Sequence, residues 1–213
     1  MKRAAAFVLV PLLGSVACSS VYYSALETLG IEKREVLVDR VGDARDAQAE
    51  AQEQFRDALE RYQALVGYDG GELESRYESL RSEYEASKSQ AQEVRDRIAA
   101  VEEVAGALFT EWQAELAKYE DPALRRKSEA QLRDTRRRAN QLVAKMKTAA
   151  IRMDPVLEKL EDQVLFLKHN LNARALGSLQ GTFRSLEGDV DRLVKEMSAA
   201  VAEANSFLAT LEK

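Results

Sequence analysis

Leu73, Tyr77, Leu80, Tyr84, Ser87, Ala91, Val94, Ile98, Val101, Ala105, Leu108 and Trp112 follow one another in steps of four and three, with hardly a slip. An α-helix turns every 3.6 residues. A repeat averaging 3.5 therefore keeps a narrow stripe on one side and favours left-handed winding of paired helices. A half-buried strand would alternate with period two, and no convincing run of that kind occurs in the chain. This stretch decides the fold: it reads as one long helix that buries a seam against partners.

The same spacing continues in both directions. Toward the N-terminus it reads Leu37, Val41, Ala44, Gln48, Ala51, Phe55, Ala58, Tyr62 and Leu65. Toward the C-terminus it reads Leu132, Thr135, Ala139, Leu142, Met146, Ala149 and Met153, and then Leu157, Leu160, Val164, Leu167 and Leu171. A last run holds Leu176, Leu179, Phe183, Leu186, Val190, Leu193, Met197, Ala200, Ala204, Phe207 and Leu211. Breakers are few. Gly67, Gly70 and Gly71 surround Tyr68-Asp69, which reads as a turn. Asp121-Pro122 suits an N-cap followed by a first helical turn. Pro155 predicts a kink, and Gly177 with Gly181 predicts a final break.

These limits predict helices over residues 34–66, 72–119, 123–176 and 179–212. At 1.5 Å per residue the outer two span roughly 50 Å and the inner two roughly 70 to 80 Å. Short turns make neighbours antiparallel. The expected fold is all-α: an elongated antiparallel bundle of four long helices with coiled-coil packing. Its two longer helices extend as a protruding hairpin whose tip lies near Asp121-Pro122. In that hairpin Trp112 faces Gln131 and Leu132, and Leu108 faces Thr135.

Residues 1–17 carry a different message. Lys2 and Arg3 precede an apolar run from Ala4 to Leu13, and Gly14-Ser15-Val16-Ala17 leads into Cys18. This is a secretory signal, too short for a permanent membrane span. A cysteine directly after a small residue reads as a lipobox, with Ser15 where leucine is usual. In that reading Cys18 is lipidated, residues 1–17 are removed, 18–33 form a tether and 34–213 form the bundle. The plainer alternative is an ordinary signal with Cys18 left as a free thiol. Cys18 is the sole cysteine, so no internal disulfide can form. Ser19 lacks the aspartate that retains lipoproteins at an inner membrane. In a host with two membranes the expected address is therefore the outer membrane, facing the periplasm.

Several stretches carry a resemblance. They are Gly30-Ile31-Glu32-Lys33-Arg34, Val38-Asp39-Arg40-Val41, Asp43-Ala44-Arg45-Asp46-Ala47-Gln48 and Asp69-Gly70-Gly71, with Met153-Asp154-Pro155-Val156-Leu157 and Leu167-Lys168-His169-Asn170-Leu171-Asn172-Ala173. Over about Tyr22 to Leu208 the chain resembles a proteobacterial lipoprotein family catalogued as domain of unknown function 2959. The resemblance implies a lipoprotein. It supplies no activity, ligand or partner, and no functional residue carries over from it.

The formal charge of −5, lowered further when Lys2 and Arg3 leave with the signal, argues against a nucleic-acid partner. His169 is the only histidine. With Cys18 committed to lipid, no Cys–His pair remains, and no glycine-rich phosphate cradle follows a strand. The chain reads as a non-enzyme without cofactor, catalytic residues or metal site.

Three groups stand out as candidate contacts. His169, Asn170 and Asn172 lie off the seam; they read either as hydrogen bonds that lock helices together or as a partner contact. Phe109, Trp112, Leu116 and Tyr119 gather near the predicted tip, where two helices cannot bury them fully; they read as seam packing or as a patch awaiting a partner. The third group is a basic face. Residues 96–121 hold seven acids and two bases, whereas 123–148 hold nine bases and two acids. Arg125, Arg126, Lys127, Arg133, Arg136, Arg137 and Arg138 carry that face, which reads as cross-helix pairing or as a surface for anionic lipid or cell-wall polymer. In the pairing version Glu111 reaches Arg133, and Glu103 reaches Arg137 or Arg138.

The leading functional expectation is a structural or adaptor lipoprotein of the cell envelope. It would be membrane-held through Cys18 and act through protein–protein contacts with an envelope protein or a second copy. The alternative is a binding module for a small apolar or lipid-like ligand or an anionic envelope polymer.

Overall fold

The structure, a computed structural model, describes residues 32–67, 70 and 73–211. The expected signal, Cys18 and most of the expected tether lie outside the described residues. Helix takes up 94% of the described residues, with no strand among them. The elements are α1 (Lys33–Val66), α2 (Leu73–Glu115), a 3-10 turn (Leu116–Lys118), α3 (Pro122–Ile151), α4 (Met153–His169) and α5 (Ala173–Leu211).

The seam reading holds along α1, where Leu37, Val41, Ala44, Gln48, Ala51, Phe55, Ala58, Tyr62 and Leu65 are all fully buried. They pack on Val94, Ile98, Leu142, Met146, Leu193, Met197 and their neighbours in one continuous core. No Asp, Glu, Lys or Arg is buried among the described residues. Many central positions are alanines (Ala44, Ala51, Ala91, Ala139, Ala149, Ala200 and Ala204), and small residues let helices approach closely.

Contacts fix the order of the helices. Gln90 Nε2 donates to Ala47 O at 3.3 Å, Arg97 pairs with Asp43 at 3.3 Å and Lys33 pairs with Glu111 at 3.1 Å, so α1 and α2 run antiparallel. Arg45 donates to Asn205 at 3.3 Å and Ser198 to Gln52 at 2.8 Å, so α5 also runs antiparallel to α1. Lys145 pairs with Glu203, and Arg152 with Glu196 at 3.1 Å, which sets α3 antiparallel to α5. Gln48 Nε2 reaches Met146 O at 3.2 Å across the diagonal. The result is an up-down-up-down bundle.

The turns follow from local chemistry. Gly70 has φ 128°, a conformation that side chains oppose and glycine accepts. Arg76 donates to Ala64 O at 2.7 Å, satisfying a carbonyl left open at the end of α1. Asp121 caps α3 as expected, its Oδ1 accepting from Ala123 N at 2.7 Å and Leu124 N at 3.4 Å, with Pro122 in the first turn.

Two expected boundaries move. The kink attributed to Pro155 appears at Arg152, one turn earlier. Proline has no N–H for the carbonyl four residues back, and its ring crowds that carbonyl, here Ile151, the last residue of α3. The break expected at Gly177–Gly181 is absent, because α5 runs through both glycines. The chain turns instead at 170–172: Asn170 Nδ2 donates to Phe166 O at 3.0 Å, and Asn172 N donates to Asn170 O at 2.9 Å. A glycine inside a helix costs only about 1 kcal/mol, which tertiary packing overrides.

The hairpin protrudes less than helix length suggested. Lys33 at the start of α1 already meets Glu111, and Thr210 and Leu211 at the end of α5 share a groove with Lys127 and Arg138. Only the stretch 116–126 stands clear of the groove, exposed throughout except at Leu116.

Candidate functional site

Four helix ends meet at the base of this tip: the start of α1, the end of α2, the first half of α3 and the end of α5. Between them lies an open groove of about 900 Å3, floored by Leu108, Trp112 and Leu211 and edged by Lys33, Arg34 and Arg138. Trp112 Nε1 donates to Ser128 Oγ at 2.8 Å across the hairpin. Arg136 donates to Phe109 O at 3.2 Å and lies 5.4 Å from the Phe109 ring centroid, a cation–π contact. These two contacts lie close to the register expected for the hairpin, within a turn at Trp112.

The aromatic cluster divides. Phe109 and Leu116 are buried, against the expectation for a two-helix tip, because the 3-10 turn folds Leu116 back and Arg136 covers Phe109. Trp112 is half-buried, and only Tyr119 is exposed. Leu124 joins it at 53% exposure, a residue that the seam pattern never marked because it sits off the stripe.

The basic face divides as well, and the expected cross-helix pairs are absent. Glu111 binds Lys33 rather than Arg133. Arg133 binds Glu129 of its own helix at 2.8 Å. Arg138 binds Asp134 at 2.7 Å and Arg137 binds the same carboxylate, so neither takes Glu103. Neighbours three and four apart on one helix are already within reach, so these bases find local partners first. The Arg137 and Arg138 hydrogen bonds hold the Asp134 carboxyl below its usual range. Pairs that do link α2 to α3 and α4, Glu102 with Lys147 at 2.7 Å and Arg95 with Asp154, lie further from the tip. Arg125, Arg126 and Lys127 are exposed and have no acidic partner among the described residues.

His169, Asn170 and Asn172 are exposed where α4 ends. The Asn170 amide caps its own helix, so it does not bridge to another in the manner of an interhelical lock. No cluster of potential metal ligands occurs among the described residues.

Buried polar groups form a layer at mid-bundle. Gln52 Nε2 donates to Gln48 O at 3.4 Å and Ser198 Oγ to Gln52 Oε1, while Gln48 Oε1 has no partner. Near the other end, the fully buried Tyr62 donates its hydroxyl to Gln163 Oε1 or Leu179 O, each at 3.2 Å. Burial raises the pKa of this phenol well above its ordinary value.

These features define a class: an all-α antiparallel bundle with a filled core and an open groove at the end that carries the tip. No helix among the described residues is long and apolar enough to cross a membrane. Residues 22–211 match the family described as "Protein of unknown function (DUF2959)", and the chain belongs to that family. No curated protein matches the chain.

Proposed function

We propose that the protein is a non-enzymatic lipoprotein of the cell envelope, most simply of the outer membrane facing the periplasm. Lipid on Cys18 holds it to the membrane, and the bundle is a rigid spacer that engages an envelope protein or a second copy. The observation that carries this reading is the filled interior. The seams close on one another with core side chains at near-zero exposure, leaving the work to outer surfaces. The sequence around Cys18 supplies the anchor. Metabolic labelling with a fatty-acid analogue tests it. The wild-type chain takes up label and stays with the outer membrane through a high-salt wash, and Cys18→Ala takes up none and is released by that wash. Label-free wild-type protein overturns the reading.

A second reading, a binding module for a lipid-like molecule, is favoured by the groove at the bundle end. Its volume falls within the roughly 300 to 1,000 Å3 of ligand sites, and an apolar floor with charged edges suits an amphiphile.

A further inference from the structure

The tip of the hairpin and the start of α1 lie at the same end of the bundle, because Lys33 meets Glu111 at the tip's base. At that tip the first turn of α3 presents Leu124, Arg125, Arg126 and Lys127 around its circumference, with Tyr119 just before it; all five are exposed. Several neighbouring acids are already engaged. Glu111 holds Lys33, Glu115 holds Lys118 at 3.4 Å, Glu129 holds Arg133 and Asp121 caps α3. Glu120, Asp121 at the cap and Glu32, which lines the groove with Lys127, are left to oppose the three cations, and the stretch 113–127 still holds four bases against three acids. The other exposed large apolar residues have less cationic company: Ile151 neighbours Arg152, which is paired with Glu196, and Leu165 and Phe166 lie between the exposed acids Glu161 and Asp162 and a single lysine, Lys168.

We propose that this tip is a membrane-docking surface for a bilayer containing anionic phospholipid. Leu124 and Tyr119 enter the headgroup layer, and Arg125, Arg126 and Lys127 lie against the phosphates. Aromatic and aliphatic side chains at a protruding turn suit the interface between water and hydrocarbon, and long cationic side chains keep their charge at phosphate level. The inference deepens the lipoprotein reading and rests on it for its geometry. A chain arriving from Cys18 reaches α1 at the end that carries the tip, so anchor and tip address one membrane. The bundle is then held at two points and stands from the surface in a set direction.

The test uses the mature chain with Cys18→Ala, which cannot be acylated, in co-sedimentation with vesicles. It binds vesicles of phosphatidylethanolamine and phosphatidylglycerol and does not bind phosphatidylcholine alone, and the binding is lost at high salt. Arg125→Gln with Arg126→Gln weakens it about 30-fold, the effect of two cations near an anionic surface. Leu124→Ser weakens it roughly 10-fold. Arg125→Lys with Arg126→Lys retains it, which separates loss of charge from loss of fold. Arg81→Gln with Lys168→Gln, at the far end, also retains it. Three results overturn the proposal: no binding to anionic vesicles, equal binding to both lipids, or tip variants that bind as tightly as the parent. Each bears on the tip alone, because the anchor is read separately from fatty-acid labelling.

Discussion

The middle of the bundle and the tip end are built from the same heptad pattern and end differently. At the level of Gln48, Val94, Met146 and Met197, four helices surround the seam, and each of these side chains is buried. At the level of Tyr119, beyond the ends of α1 and α5, two helices remain, and exposure climbs to 41%. The stripe on α2 is continuous, so the difference lies in the number of partners facing it. A heptad pattern specifies which residues seek burial; the lengths and endpoints of the other helices decide which of them obtain it.

The largest expected effect breaks this comparison in the middle. Leu142→Ala removes a fully buried side chain where four helices close, and unfolding in denaturant should show a loss of about 3 kcal/mol. A loss below about 1 kcal/mol would mean that the middle layers are as loosely packed as the tip.

A smaller effect comes from Tyr62. Tyr62→Phe deprives Gln163 and Leu179 of a donor and should cost about 1 kcal/mol at neutral pH. Burial raises the Tyr62 phenol, and burial with the nearby Glu161 carboxylate raises Tyr84 to about 12. Each contributes stability that is complete below the unfolded value near pH ~10. It drains away as pH rises from there toward the folded value, because the unfolded chain ionises first. Unfolding measured at rising alkaline pH should therefore show a steep fall in the parent and a shallower one in Tyr62→Phe. Equal slopes would place the hydroxyl in water.

The smallest effect sharpens the other pole. Trp112 is the chain's single tryptophan and floors the groove. A fatty acid added below its micellar concentration should shift its emission a little to the blue. Leu108→Glu should abolish the response. An emission unmoved by any amphiphile would remove the second functional reading.

Much of the fold was legible before any coordinates. The nine seam positions of α1 were readable because each faces neighbours on two sides, and burial then follows periodicity. Asp121-Pro122 was readable because a cap is local chemistry. The turn at 170–172 was missed because Gly177 and Gly181 were weighed as stops; a Cβ at either position meets nothing within 4 Å, so neither glycine marks a close approach. Asn170, whose amide closes the end of α4, carried the real signal. The charge pattern was legible in composition and misread in partnership, since bases three and four residues from an acid on their own helix have no need to cross. The groove had no signature at all, being assembled from four chain segments far apart in sequence.

The bundle's connectivity has a consequence for how it forms. α1 packs on α2, the next helix in the chain, and on α5, the last. The first hairpin can close as soon as Leu73 and its followers are available, through contacts of short sequence separation, which favour speed. The face of α1 that receives α5 must wait for the final stretch of chain: Gln52 meets Ser198, and Arg45 meets Asn205, near the very end. Until that helix arrives, an apolar cleft runs the length of the half-made bundle. A chain released in the order of its synthesis therefore passes through a sticky interval that ends only when α5 docks, and a truncation inside α5 would leave it there.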